Sequence, residues 1–199
     1  MGNEITVKVK GNINELYKNL EKQEFKIIDT FRLDDTYFIP KNLEIEKLTT
    51  REILTQAVIV REVIGTNPKR IIKVLLFKRK EFDEKGNILK QEKSECDVLE
   101  IEDAKNFMKA IGYKEIMRII ENDIAYGKNG FDLAIKNIEN GDRLIESEIL
   151  EDNQELNTIE KVKNKIEELG INIYTDNFFV KKAEIELNKR LGRKGKENV

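Results

Sequence analysis

Two glutamates one residue apart, Glu146-Ser147-Glu148, stand in a segment whose pattern predicts a strand. Both carboxylates then share one strand face, about 7 Å apart by strand rise. Such a pair suits a hard divalent cation, Mg2+ or Mn2+, which seeks carboxylate oxygen. Further charges fall on the polar faces of other predicted strands: Glu4, Lys8 and Lys10 near the start, then Arg61, Lys78 and Glu95. If the strands closed into a barrel with a polar interior, these lysines and arginines would neutralise phosphate groups there. An antiparallel sheet with one solvated face accounts for the same pattern, and both readings stay open at this level.

The residues that are missing narrow the chemistry further. The chain has 199 residues, no His, no Trp and a single Cys, Cys96. Without His there is no Ser/His/Asp or Cys/His catalytic arrangement and no His-containing zinc site. One cysteine rules out an intrachain disulfide and fits a reducing compartment; Cys96 itself reads as an inert small residue. Lys and Arg number 36 against 38 Asp and Glu, a net charge of −2, so nothing in the balance favours nucleic acid. Apolar residues make up 39% and are spread along the whole chain, which predicts a globular protein. No apolar run reaches transmembrane length and no secretory segment is visible, so a cytoplasmic protein with no membrane partner is expected. The start Met1-Gly2-Asn3-Glu4-Ile5-Thr6 fits a loose myristoylation pattern, but it reads better as the beginning of a strand.

The elements that must position these charges follow from periodicity. Residues 4–10 alternate strictly, with Ile5, Val7 and Val9 on one face. Gly11 ends that strand, and Asn12 with Glu15 starts a helix carrying Ile13, Leu16, Tyr17 and Leu20 inward. Residues 25–39 read as β-rich up to Pro40, and Thr49 with Glu52 caps a short helical turn. Strands are predicted over 57–64, 70–82 and 88–99, separated by Gly65-Thr66-Asn67-Pro68 and by a turn over 83–87. Two successive reversals argue for antiparallel pairing. A helix over 102–111 ends at Gly112. Three more strands follow, over 114–126, 130–138 and 144–150. Helices are then predicted with Ile159, Val162, Ile166 and Leu169 on one stripe, and from about Asp176 to Arg190. One α+β domain over 1–190 is expected, followed by a mobile basic tail over 191–199 with Arg193, Lys194 and Lys196.

The order of these pieces resembles the CYTH family, the triphosphate tunnel metalloenzymes, which include class IV adenylyl cyclases and thiamine triphosphatases. Glu4-Ile5-Thr6-Val7-Lys8 is similar to the family's opening E-x-E-x-K strand, and Asp35-Thr36-Tyr37-Phe38 to its D-T-Y-F element. Val58-Ile59-Val60-Arg61-Glu62 corresponds to L-R-I-R-E, Leu75-Leu76-Phe77-Lys78 to L-T-Y-K, and Glu95-Cys96-Asp97-Val98 to E-x-x-V. Gly112-Tyr113 stands where Gly-Phe is usual, and Glu146-Ser147-Glu148 matches E-I-E. The likeness spans about residues 4–186. It implies an antiparallel closed β-barrel, or tunnel, with flanking helices and a helical C-terminal segment. It also implies Glu4, Glu146 and Glu148 as ligands for Mg2+ or Mn2+, and Lys8, Arg61, Lys78, Lys10 and Arg118 as phosphate contacts. A small-molecule polyphosphate or nucleotide is the partner it implies, and a homodimer is compatible with it.

Departures from the pattern bear on activity. Thr6 stands where a second metal carboxylate belongs, Ile59 where an arginine belongs, and Lys136 where a metal-binding Asp is usual. Glu121 and Asp123, before Tyr126, occupy places usually basic; Tyr37 and Tyr126 themselves read as packing residues. Fewer carboxylates weaken a hard-cation site, and acids in a confined site oppose a polyanion. Two functions follow. The first is a metal-dependent phosphohydrolase or nucleotide cyclase acting on a triphosphate-containing substrate, an activity of triphosphatase or class IV adenylyl cyclase type. The second is a catalytically degenerate relative that binds a phosphate-bearing or other anionic ligand without turnover.

Overall fold

The computed structural model describes residues 4–82, 88–150 and 153–193. In chain order the elements are β1 (Glu4–Lys8), α1 (Ile13–Lys22), β2 (Lys26–Pro40), α2 (Thr50–Leu54), β3 (Val58–Asn67), β4 (Lys69–Phe82) and β5 (Ile88–Asp97). They continue with α3 (Ile101–Ala110), β6 (Tyr113–Lys128), β7 (Phe131–Ile138), β8 (Arg143–Glu148), α4 (Ile159–Glu168) and α5 (Lys182–Arg190). The strands form one eight-stranded antiparallel sheet in the order β1-β8-β7-β6-β2-β3-β4-β5, an α+β fold with flanking helices. The turn expected over 83–87 and the tail residues 194–199 lie outside the described residues.

The chain divides into two compact units, with boundaries inside β2, β3, β4 and β6 and just before α5. The first contains Met1–Arg32, Gly65–Lys69 and Glu121–Val180. Its strands follow the alternation of the sequence. Ile5 and Val7 of β1, Leu133 and Ile135 of β7 and Ile145 of β8 form an apolar layer, against which α1 packs Leu16 and Leu20 and α4 packs Val162 and Ile166. Burial of these side chains is what holds two short amphipathic helices in place, since neither would be stable alone. Each helix starts on a side-chain cap: Asn12 accepts from the Asn14 amide at 2.9 Å, and Thr158 from Lys161 at 3.3 Å.

The second unit contains Leu33–Ile64, Arg70–Ile120 and Lys181–Val199. Its core sets Phe38 of β2 and Val60 of β3 against Ala104 and Met108 of α3, with Leu75 and Ile101 packed beside them. A capping box on Thr49 and Glu52 opens α2, as the sequence indicates. Helix α2 is tied to α5 by Arg51, which donates two hydrogen bonds to Glu184, at 3.0 and 3.2 Å. Arg193, expected in the tail, donates to the carbonyls of Leu48 and Ile45 at 2.9 and 2.6 Å.

Two expectations change. Closure of the strands into a barrel by hydrogen bonds is not part of the fold: the sheet has two end strands, and among the described residues no ladder joins β1 to β5. The last helix is also shorter than the sequence suggests, beginning at Lys182 instead of Asp176. The reason lies at β1, whose outer edge would otherwise leave amide and carbonyl groups unpaired. The preceding segment supplies partners in extended form. The Thr6 amide donates to the Phe178 carbonyl, Val180 to Thr6, Tyr174 to Lys8 and Lys10 to Asn172, all at 2.7–3.0 Å.

Position in the packing decides the cost of truncation. Ile145 is fully buried between strands and helices, whereas Ile72 on β4 is 42% exposed. Ile145→Ala should lose roughly 2–5 kcal/mol in chemical denaturation, and Ile72→Ala about 0.5 kcal/mol or less.

Candidate functional site

Antiparallel register fixes which side chains share a face, because residues directly opposite point the same way. In the first unit, Glu4 stands opposite Glu148, Thr6 opposite Glu146 and Lys8 opposite Leu144. On the other side of β8, Glu146 stands opposite Ala134 and Leu144 opposite Lys136, and Asp123 of β6 stands opposite Lys136. The polar face away from the apolar core therefore carries Glu4, Thr6, Lys8, Glu121, Asp123, Lys136, Glu146 and Glu148. By register the sequence-derived metal residues fall on one face, joined by four residues that break the family pattern there, Thr6, Glu121, Asp123 and Lys136. Glu148 is exposed; the side chain of Glu4 lies outside the described residues.

At the centre of this face is an ion pair. The Lys136 ammonium lies 2.7 Å from Glu146 Oε1, and the Thr6 hydroxyl donates to Glu146 Oε2 at 3.5 Å. Lys136 and Glu146 are mostly shielded, with side chains 15% and 25% exposed. Glu121 and Asp123 are withdrawn from solvent altogether. A divalent cation of the Mg2+ type needs several converging oxygen donors, and among the described residues no three carboxylates converge in that way. A fixed cation, Lys136, is paired with the carboxylate of Glu146, one of the three residues that the resemblance implies as metal ligands.

Of the phosphate-contact residues expected from the sequence, Lys8 and Lys10 belong to the first unit and Arg61, Lys78 and Arg118 to the second. Lys8 pairs with Asp142 at 2.7 Å and lies 5.6 Å from the centre of the Tyr174 ring. Lys10 is exposed and closer to that ring, at 4.3 Å. Because residues 8 and 10 alternate onto one side of the chain, the two ammonium groups frame Tyr174, a cation–π contact that the sequence did not suggest. Tyr126 is buried against Tyr17, with ring centroids 6.3 Å apart, as expected of a packing residue. Burial pushes its hydroxyl pKa up, so it stays protonated at neutral pH.

In the second unit, Arg61 of β3 donates two hydrogen bonds to Asp35 of β2, both 2.6 Å. The Asp35 side chain is wholly buried. Arg118 of β6 makes the same bidentate arrangement with Asp34, at 2.8 and 2.6 Å, but is 48% exposed. The hydrogen bonds that Arg118 donates to Asp34 raise its pKa, keeping the guanidinium charged. Asp34 and Asp35 are neighbours on one strand, so Arg61 and Arg118 work on opposite faces of the sheet. Lys78 stands opposite Lys93 on the β4–β5 ladder, and Lys93 is paired with Glu95 at 2.6 Å. Asp34 and Asp35 carry no metal or phosphate chemistry in the sequence reading; only the fold reveals that they neutralise the two arginines.

Comparison with known proteins agrees with this architecture. The PH1819 protein of Pyrococcus horikoshii OT3 superposes with a TM-score of 0.68 at 17% identity, covering 95% of this chain and 99% of that one. A candidate adenylyl cyclase from Hippeastrum, described as having a dominant triphosphatase activity, covers 98% of this chain and 97% of its own at a TM-score of 0.59 and 13% identity. A candidate adenylate cyclase from Vibrio parahaemolyticus covers 89% of this chain and 95% of its own, with a TM-score of 0.54 and 10% identity. No protein-family model and no curated protein matches the sequence. The resemblance to the CYTH family is upheld as a fold. No helix among the described residues is long and apolar enough to cross a membrane.

The two arginines should respond differently to removal. Arg61→Ala leaves a buried carboxylate without its partner and should cost about 3–5 kcal/mol. Arg118→Ala removes a half-exposed pair and should cost about 1 kcal/mol or less. Urea denaturation of the two variants at pH 7 measures the contrast.

Proposed function

We propose that the protein binds a phosphate-bearing small molecule and does not turn over a triphosphate with a divalent metal. The Lys136–Glu146 ion pair carries this reading, because it supplies a permanent positive charge where the resemblance implies Mg2+ or Mn2+. Two shielded acids on the same face, Glu121 and Asp123, stand where the resemblance implies basic residues, so those positions offer a triphosphate no cation. The ligand's anionic group is assigned instead to the end of that face marked by Lys8 and Lys10, with its organic part against Tyr174. A single phosphate suits two lysines, one of which already shares its charge with Asp142.

The residues work by binding and orientation. Lys8 and Lys10 neutralise the phosphate as point charges, and Tyr174 offers a flat apolar surface between them. Lys136 holds Glu146 in place and balances its charge. A second reading, metal-dependent triphosphatase or adenylyl cyclase activity with Glu4, Glu146 and Glu148 at the metal, is favoured by the fold shared with the Hippeastrum protein.

The decisive experiment offers the purified protein tripolyphosphate, thiamine triphosphate and ATP, each with Mg2+ or Mn2+, and follows phosphate and cyclic AMP. No metal-stimulated turnover is expected. Turnover that Glu146→Ala abolishes would overturn the binding reading and establish the enzyme. Calorimetry with AMP should show binding that weakens roughly tenfold in Lys10→Ala, as loss of one charged contact implies. Thermal melts address the metal directly: Mn2+ should leave the wild-type melting temperature unchanged and raise that of Lys136→Asp, which exchanges the fixed cation for another carboxylate.

A further inference from the structure

Neighbouring residues of a strand face opposite sides of a sheet, so Asp34 and Glu62 look away from Asp35 and Arg61. They look toward α3, where a cavity of about 250 Å3 lies between that helix and strands β2, β3 and β6. Its base is apolar, made by Val60 and Ile101 of the cluster around Phe38. Its rim is charged. Arg118 holds Asp34 there, and Lys105 donates to Glu102 at 2.9 Å, so these four charges cancel in pairs.

Two wall residues are not accounted for by these pairs. Glu62 is half-buried and joins no ion pair among the described residues. Thr36 is 1% exposed, lines the cavity, and its hydroxyl makes no hydrogen bond to a described residue. A shielded hydroxyl without a partner costs free energy, and so does a carboxylate held partly out of water. Both costs are relieved by a ligand that brings hydrogen-bond donors and positive charge.

Charge and shape select the occupant. With the two pairs cancelled, the charge left in the lining is that of Glu62, which disfavours an anion. A divalent metal needs acids that converge, and no such group occurs among the described residues. An ammonium ion on a short carbon chain fits every element: donors for Glu62 and Thr36, and an apolar body for Val60 and Ile101. We propose that this cavity binds a primary alkylammonium ion, at a site on the opposite face of the sheet from Arg61 and independent of the phosphate-ligand reading.

The test titrates the full chain with n-butylammonium and 1,4-diaminobutane at low ionic strength, reading amide NMR shifts and calorimetric heats. Saturable binding is expected, with shifts centred on Thr36, Glu62 and the first turn of α3. Glu62→Gln should weaken it roughly tenfold or more, the value of a charged hydrogen bond. Thr36→Val should weaken it several-fold while Thr36→Ser preserves it, with circular dichroism confirming that each variant is folded. Lys10→Ala should leave amine binding unchanged. Failure of both amines to saturate, equal affinity in folded Glu62→Gln, or binding of inorganic phosphate in their place would overturn the proposal.

Discussion

A carboxylate withdrawn from water keeps its charge when a cation is set against it, and three such pairs organise charged residues of the strands. Asp35 is buried and is met by Arg61 through two short hydrogen bonds; Asp34 is met by Arg118 in the same way. In the first unit Glu146 is met by Lys136. The geometry of each answer is planar and bidentate for the arginines and single-point for the lysine, which is what the two cation types allow. In the first unit, strand partners are therefore specified by charge on one side of the sheet and by apolar packing on the other. A slip of one residue would place Ile5, Val7 and Ile145 in the polar layer and carry the acids into the core.

The same pairing shapes what the protein can bind. A site evolved around a metal keeps its carboxylates available for the ion; here the carboxylate that matches the family's metal strand is already engaged by a lysine and a threonine hydroxyl. Three cations, Arg61, Arg118 and Lys136, are engaged with acids of the sheet. What remains accessible is modest and local: Lys8 and Lys10 around Tyr174 in one unit, and an acid-rimmed cavity beside α3 in the other. A shared fold with proteins described as adenylyl cyclases is compatible with this, because a fold supplies a scaffold and chemistry depends on the side chains grafted on it.

Much of the scaffold was legible because it rests on local rules. The alternation of residues 4–10, the glycine that ends it and the Thr49–Glu52 capping box act within a few residues of chain, so reading them needs no knowledge of the rest. The strand over 144–150 and its two glutamates were placed on one face by period two alone. The helix from Asp176 was misjudged for the complementary reason. Residues 172–180 can satisfy their backbone groups within a helix or across to a strand, and the open edge of β1, more than 160 residues earlier, decided for the strand-like form. The small departures, Thr6 and Lys136, were visible in the sequence, but that they meet on one glutamate was not.

By itself, then, the sequence determined the secondary elements, the two-faced character of the strands and the exclusion of histidine, disulfide and thiolate-metal chemistry. It also placed Glu146 and Glu148 on a polar face. Only the tertiary structure decided which charges neutralise which, that Arg61 and Arg118 lie on opposite faces, that β1 is bordered by the C-terminal segment, and that Thr36 and Glu62 line a cavity. The division has a physical cause. Alternation and capping are short-range properties of the chain, whereas an ion pair depends on cross-strand register and long-range packing, which no local pattern encodes.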